Sequence, residues 1–302
     1  MASSDDHGRS LVITLVGVTG TEITRGTWRG LCKAHVLFQA AYKSKPGFLC
    51  KLLPGSVKLS PYSDLASVLP NLTHLTVVWM TADSQNTRLV CKKASAAIKS
   101  DGSVITWGDP DSGGDSSLVE DQLQDGVVQV VGNYFAFAAV KSDGSVITCG
   151  VIGCGGDCSL VEDRHQEGVV QVVGNTAAFA AVKSDGSVIT WGHTGSGGNS
   201  SRVEDGLQEG VVQVVGNAEA FAAVKSDGSV ITWGGSGSGG DSSRVEDRLQ
   251  EGVVLGVCNH LAFPAVKSDG SAITWGDSEF GGDSSDVEDR LQEGVCNTTC
   301  KH

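Results

Sequence analysis

Between residues 88 and 302 the apolar positions come in short bursts that return every 42 residues. One copy shows the pattern cleanly. Gly210-Val-Val-Gln-Val-Val-Gly-Asn217 is a run of β-formers stopped by Gly-Asn, and Ala220-Phe-Ala-Ala-Val-Lys225 is apolar on both faces. Ser229-Val-Ile-Thr-Trp-Gly234 then alternates. Bursts of this length, bounded by Gly, Asn and Asp, predict three strands per copy. Asp227-Gly228, between the second and third strands, predicts a two-residue type I′ hairpin turn. The fourth segment, Ser242-Ser-Arg-Val-Glu-Asp-Arg-Leu-Gln-Glu-Gly252, has only Val245 and Leu249 as apolar anchors. It reads as a short outer strand, a helical turn or a loop.

The nonamer Ser100-Asp-Gly-Ser-Val-Ile-Thr-Trp-Gly108 marks the register. It returns at Ser142, Ser184, Ser226 and Ser268, with Trp107, Trp191, Trp233 and Trp275 in the aromatic slot, Cys149 there in the second copy and Ala272 for Val in the fifth. Alternation turns Ile231 and Trp233 to the same face, so the four tryptophans are expected as structural core between neighbouring sheets. Cys149 should leave one place underpacked. Three strong strands and one weak one, repeated, match the blades of a propeller, a fold that closes with about four to eight of them.

The first eighty residues follow another rhythm. Leu11-Val-Ile-Thr-Leu-Val16 and Thr21-Glu-Ile-Thr24 flank Thr19-Gly20 as a hairpin. From Gly30 to Lys43, Leu31, Ala34, His35, Leu37, Phe38 and Ala41 stand at helical spacing. Phe48 to Leu53, ended by Pro54-Gly55, and Leu72 to Trp79 complete a β-β-α-β-β order. The expected division is a disordered 1–10, an α+β domain over 11–80, a polar linker at 81–87, and the repeats over 88–302.

Both parts resemble known families. The hairpin, Pro46 with Cys50-Lys-Leu-Leu-Pro-Gly55, and Leu72-Thr-His-Leu-Thr-Val77 together resemble a ubiquitin-like β-grasp domain. That resemblance implies a hydrophobic recognition patch at Val18, Leu52, His74 and Thr76. No Gly-Gly tail follows Trp79, so conjugation is not implied. The repeat unit, Gly-Asn-x-x-x-Phe-Ala-Ala-Val-Lys-Ser-Asp-Gly-Ser-Val-Ile-Thr-Trp-Gly, resembles the regulator-of-chromosome-condensation (RCC1-like) β-propeller repeat. The fold class implied is mainly β, a propeller in five repeats forming a closed ring or an open arc. In a closed ring, residues 294–302 would complete the first blade.

Charge narrows the partners. The formal net charge is −13, divided as +4 over residues 1–80 and −17 over 81–302. Such a repeat region repels a phosphate backbone, so nucleic acid is not expected as its partner. Nine cysteines without a regular framework, and no apolar segment long enough to span a membrane, place the chain in a reducing, cytoplasmic or nuclear setting.

Candidates for chemistry are few. Asp109-Pro-Asp-Ser-Gly-Gly-Asp115 resembles the start of a calcium loop, but His193-Thr-Gly-Ser-Gly-Gly-Asn199 occupies the same place two copies on. Cys149, Cys154 and Cys158 lack zinc-site spacing. The seven histidines never recur at one repeat position, and no nucleophile elbow or phosphate loop is present. Neither a cofactor nor a metal is therefore expected. The acidic pairs Glu120-Asp121, Glu162-Asp163, Glu204-Asp205, Glu246-Asp247 and Glu288-Asp289 fall at one repeat position, where they could steer a basic partner. The function expected is a non-catalytic protein-interaction scaffold or adaptor. The resemblances offer two alternatives, an accessory role in ubiquitin ligation and guanine-nucleotide exchange on a small GTPase.

Overall fold

A computed structural model describes residues 10–29, 34–44, 49–55, 59, 73–80, 89–90, 93–99, 101–157, 167–255 and 258–292. The segment 294–302, expected to complete the first blade, lies outside them.

In the first part, strands β1 (Ser10–Gly17) and β2 (Glu22–Arg29) form the expected hairpin. Its turn is closed by the Gly17 N–H to the Thr21 carbonyl at 2.8 Å. Helix α1 (His35–Ser44) leads to β3 (Leu49–Leu53) and β4 (His74–Met80). The sheet order is β2-β1-β4-β3, with β4 parallel to β1 and antiparallel to β3. Alternation along the strands sends Ile13, Leu15, Cys50, Leu52, Leu75 and Val77 to one face. There they bury against Ala34, Leu37, Phe38 and Ala41 from the helix side. Each fully buried Leu or Ile contributes about 1.5–3 kcal/mol. Trp28 folds over Gly26, where a Cβ would lie 2.6 Å from the indole.

The repeats form five three-stranded antiparallel sheets. They are β5 (Leu89–Val90), β6 (Ala94–Ile98) and β7 (Val104–Gly108); β8 (Val127–Gly132), β9 (Ala136–Lys141) and β10 (Val146–Gly150); β11 (Val169–Gly174), β12 (Ala178–Lys183) and β13 (Val188–Gly192); β14 (Val211–Gly216), β15 (Ala220–Lys225) and β16 (Val230–Gly234); and β17 (Val253–Leu255), β18 (Ala262–Lys267) and β19 (Ala272–Gly276). The chain is thus mainly β. The fourth segment resolves in favour of a helical turn, the short 3-10 helix Ser243–Leu249, which follows another at Ser236–Ser238. Leu249 is the buried residue of Ser243–Leu249, at 1% exposed, with Val245 partly buried beside it.

The hairpin turn is a correction. Lys225 N–H donates to the Ser229 carbonyl at 2.8 Å, and Gly228 N–H to the Lys225 carbonyl at 2.9 Å. The loop therefore has three residues, Ser226-Asp227-Gly228, with Gly228 at φ 84. This is the three-residue alternative to the type I′ turn. The Asp227 carboxylate decides it by accepting from the backbone N–H and the hydroxyl of Ser229, at 2.9 and 2.7 Å.

Successive sheets stack through the two faces of each middle strand. Ala136, Ala138 and Val140 meet Phe179, Ala181, Ile189 and Trp191 of the following sheet, while Phe137 and Ala139 meet Ala94 and Ala96 of the preceding one. The alanines allow close approach. Phe179, Phe221 and Phe263 stack on Trp191, Trp233 and Trp275, with centroids 5.2–5.5 Å apart. Each pair contributes about 0.5–1.5 kcal/mol beyond its buried area. Each of these indoles also donates to the repeat before it: Trp191 to the Gly155 carbonyl at 3.2 Å, Trp233 to Gly197 at 3.0 Å, and Trp275 to Gly239 at 3.1 Å.

Trp107 departs from the expected core role, being 52% exposed. Its repeat has no earlier copy to offer a glycine carbonyl, and Ser95 pairs with it where later repeats carry Phe.

Candidate interaction surfaces

The second 3-10 helix of each described repeat carries the acidic pair. Ser117–Leu123 presents Glu120 and Asp121, Glu204–Leu207 presents Glu204 and Asp205, and Ser243–Leu249 presents Glu246 and Asp247. All six side chains are exposed, as is Asp289 on Ser285–Leu291, the helix that also contains Glu288. Glu162 and Asp163 lie outside the described residues. A second position holds the start of these segments, through Asp in three repeats and Asn199 in another. Asp115, Asp241 and Asp283 each accept the N–H two residues on, at 2.9–3.0 Å. Those backbone bonds hold the three carboxyls below the usual carboxylate range.

Between the loops of one repeat and the outer strand of the next runs a groove. At the junction of the β5–β7 and β8–β10 repeats its volume is about 1080 Å³. Its walls carry Pro110, Leu118, Val119, Cys149, Val151 and Ile152. Leu118 is 96% exposed and Ile152 72%. This groove contains the place where Cys149 was expected to leave space. Cys149 donates its thiol to the Asp115 carbonyl at 3.2 Å. Burial, and then the Asp115 charge, push that thiol up, which favours the neutral thiol over the thiolate. The charged lining is Asp111, Asp115, Asp143 and Asp157 against Lys141, and Lys141 pairs with Asp125 at 3.1 Å.

Two repeats on, the equivalent groove of about 830 Å³ has a different character. Thr194 replaces Pro110, Arg202 replaces Leu118, Ser236 replaces Ile152 and Trp233 replaces Cys149. The scaffold is repeated while its grooves diverge.

On the first part of the chain, the residues of the expected patch separate. Val18 is 74% exposed in the hairpin turn, His74 is exposed and Thr76 is half-buried, but Leu52 is 0% exposed within the core. Leu52 cannot belong to a docking surface. The strand register shows why: Leu53, not Leu52, pairs with Thr76 and shares its face. The apolar ending Leu52-Leu53 concealed which of the two faces inward. The outer face instead carries Val12, 44% exposed, and Val16 with Thr76 and Val78.

The calcium-loop candidate resolves into a local bond, Ser112 Oγ donating to Asp109 Oδ2 at 2.7 Å. Among the described residues no group of His, Cys, Asp and Glu could hold a metal ion, and no helix is long and apolar enough to cross a membrane.

Sequence reasoning passed over the asparagine of Gly-Asn. Asn217 Nδ2 donates to the Ser238 carbonyl at 2.6 Å, and its Oδ1 accepts from Glu219 and Ala220 N–H at 3.1 and 2.8 Å. Asn133, Asn175 and Asn259 repeat this clamp. Its recurrence every 42 residues was the available signal.

No family model and no curated protein sequence matches the chain. Among solved structures, human WBSCR16 is 17% identical over 68% of this chain and 64% of its own, with TM-score 0.41. This chain thus spans just under two thirds of that protein's length. Prp20p from Saccharomyces cerevisiae is 16% identical over 79% and 69%, with TM-score 0.42. The CRINKLY ectodomain of the Arabidopsis thaliana receptor kinase ACR4 is 16% identical over 63% and 62%, with TM-score 0.39. The function proposed for this chain rests on its own residues.

Proposed function

We propose that the chain is a non-catalytic protein-interaction scaffold, and that its repeat region takes a basic peptide segment with aliphatic anchors. The carrying observation is the groove between the first two repeats. Where the equivalent groove has Thr194, Arg202 and Ser236, this one has Pro110, Leu118 and Ile152, beneath a rim of aspartates. Exposed apolar surface bordered by charge is the usual mark of a protein-binding site. The rim selects for Lys and Arg beside the anchors and accelerates their approach at low salt. The exposed acidic pairs extend the same field.

Two architectural readings belong to this proposal. Face-to-face stacking of the repeated sheets supports a propeller-like array, and the exposed Trp107 and open Gly281 favour an open arc over a closed ring. Parallel β1 and β4 at the centre of a four-stranded sheet, with a helix on one face, support a ubiquitin-like first domain. Its outer face of Val12, Val16, His74 and Thr76 would be a second docking surface, and through it a connection to ubiquitin ligation.

The test is fluorescence anisotropy with a panel of short peptides carrying Leu or Ile between Lys or Arg residues, set against acidic and scrambled controls. Ile152→Asp and Leu118→Asp should each weaken binding at least tenfold while leaving the far-UV spectrum unchanged, since both side chains are exposed. Equal binding by either variant, or no preference for the basic panel, would overturn the proposal.

A further inference from the structure

We propose that the chain associates head to tail with a second copy of itself, the Trp107 face of one copy docking on the Gly281 loop of the other. The interface is already drawn three times inside the molecule. At each joint between the last four sheets, a glycine at positive φ (Gly155, Gly197 or Gly239) lies against the Phe and Trp of the following repeat. The indole N–H donates to that glycine's carbonyl at 3.0–3.2 Å.

Among the described residues both halves of this joint are open. At the head, Ile105 and Trp107 are 48% and 52% exposed on the face that later repeats bury. At the tail, Gly281 keeps the same conformation, φ 82, yet a Cβ there would meet nothing within 4 Å. The corresponding position on Gly239 lies 2.8 Å from Phe263 and 3.0 Å from Trp275. The two ends are therefore the donor and acceptor sides of one repeated contact, and among the described residues they do not meet.

The ends also differ from the internal joints in a matched way. The head carries Ser95 where internal repeats carry Phe137, Phe179, Phe221 and Phe263. The tail carries Phe280, 39% exposed, beside Gly281, where internal repeats carry Ser112, Cys154, Ser196 and Ser238. Bulk absent from the head is present on the tail. Because the two surfaces are different patches, the contact is heterologous, and it extends by addition of copies until geometry closes it.

Light scattering of the full chain across a hundredfold range of concentration should show mass rising in steps of one chain. Trp107→Ser removes the donor side. Gly281→Asn adds a side chain where the partner's indole sits, with a residue that tolerates the left-handed conformation. Each variant alone should stay at the mass of one chain. An equimolar mixture should form a dimer and nothing larger, because only one intact joint can be made. The far-UV spectrum and acrylamide quenching of Trp107, protected at high concentration in the native chain, check folding and contact. A native chain that stays single at every concentration would overturn the proposal. So would a Trp107→Ser chain that associates normally, or a mixture that does not pair.

Discussion

Asn217 illustrates how much a single side chain holds in this fold. Its three hydrogen bonds tie a strand end to the loop of its own repeat, and it is 5% exposed. Asn217→Ala would leave the Ala220 N–H and the Ser238 carbonyl without that partner. Stranding buried polar groups costs about 1–3 kcal/mol each. A lowering of unfolding free energy by about 2–4 kcal/mol is expected from urea denaturation. Asp227 makes a pH-dependent contribution. Burial raises its pKa, but the Ser229 N–H and hydroxyl outweigh burial and leave the carboxyl below its usual range. A depressed carboxylate stabilises the fold above its unfolded pKa, near 3.9, and loses that contribution as pH falls through the lower folded value. Asp227→Asn should therefore melt lower than the native chain at pH 7. The difference should shrink toward zero as the pH falls below the folded pKa. Equal melting points at neutral pH would show that the carboxylate's charge adds nothing. Asp-Gly was legible as a turn, but the dipeptide alone did not show that Ser229 would capture the aspartate and lengthen the loop by one residue.

At the scale of the element, the glycine that ends the first 3-10 turn after each blade is set by the neighbouring repeat. A Cβ on Gly197 would sit 2.8 Å from the Phe221 ring in a backbone that already disfavours side chains. Gly197→Ala should destabilise by about 2–4 kcal/mol, read from the shift in the urea midpoint. Restoring the missing tryptophan tests the same joint from the other side. Cys149→Trp would give Phe137 a stacking partner and bring an indole N–H toward the Gly113 loop. It should raise the melting temperature and also weaken peptide binding by filling the groove. A lowered melting temperature would show that the second repeat has repacked around the smaller side chain. The strands and their stacking were readable because alternation and the Ala-rich middle strand report burial directly. The 3-10 segments were not, since two apolar anchors four residues apart satisfy several conformations.

For the whole molecule, identical sequence in non-identical surroundings sets the stability profile. Arrays in which each unit contacts only its neighbours have stability close to a sum of unit and joint contributions. The first sheet lacks a joint on one side and has Ser95 in place of Phe, while β12 and β15 lie between two complete joints. Amide exchange should be slowest in β12 and β15 and fastest in β6; a uniform rate would mean that the array opens as one unit. This gradient could not be read from the nonamer, which is the same at Trp107 and Trp191. What differs is whether a carbonyl stands opposite.

Trp191, Trp233 and Trp275 each donate to a carbonyl 36 residues earlier in the chain, so each of these three joints links one repeat to its predecessor. Four of the five units carry both a plug and a socket, and the second carries Cys149 in place of the indole. A genetic duplication or loss of one of the units that carries both Phe and Trp therefore leaves the remaining joints of the same kind, and array length can change by recombination in steps of 42 residues. Selection is then free to act on the groove residues that distinguish one copy from another.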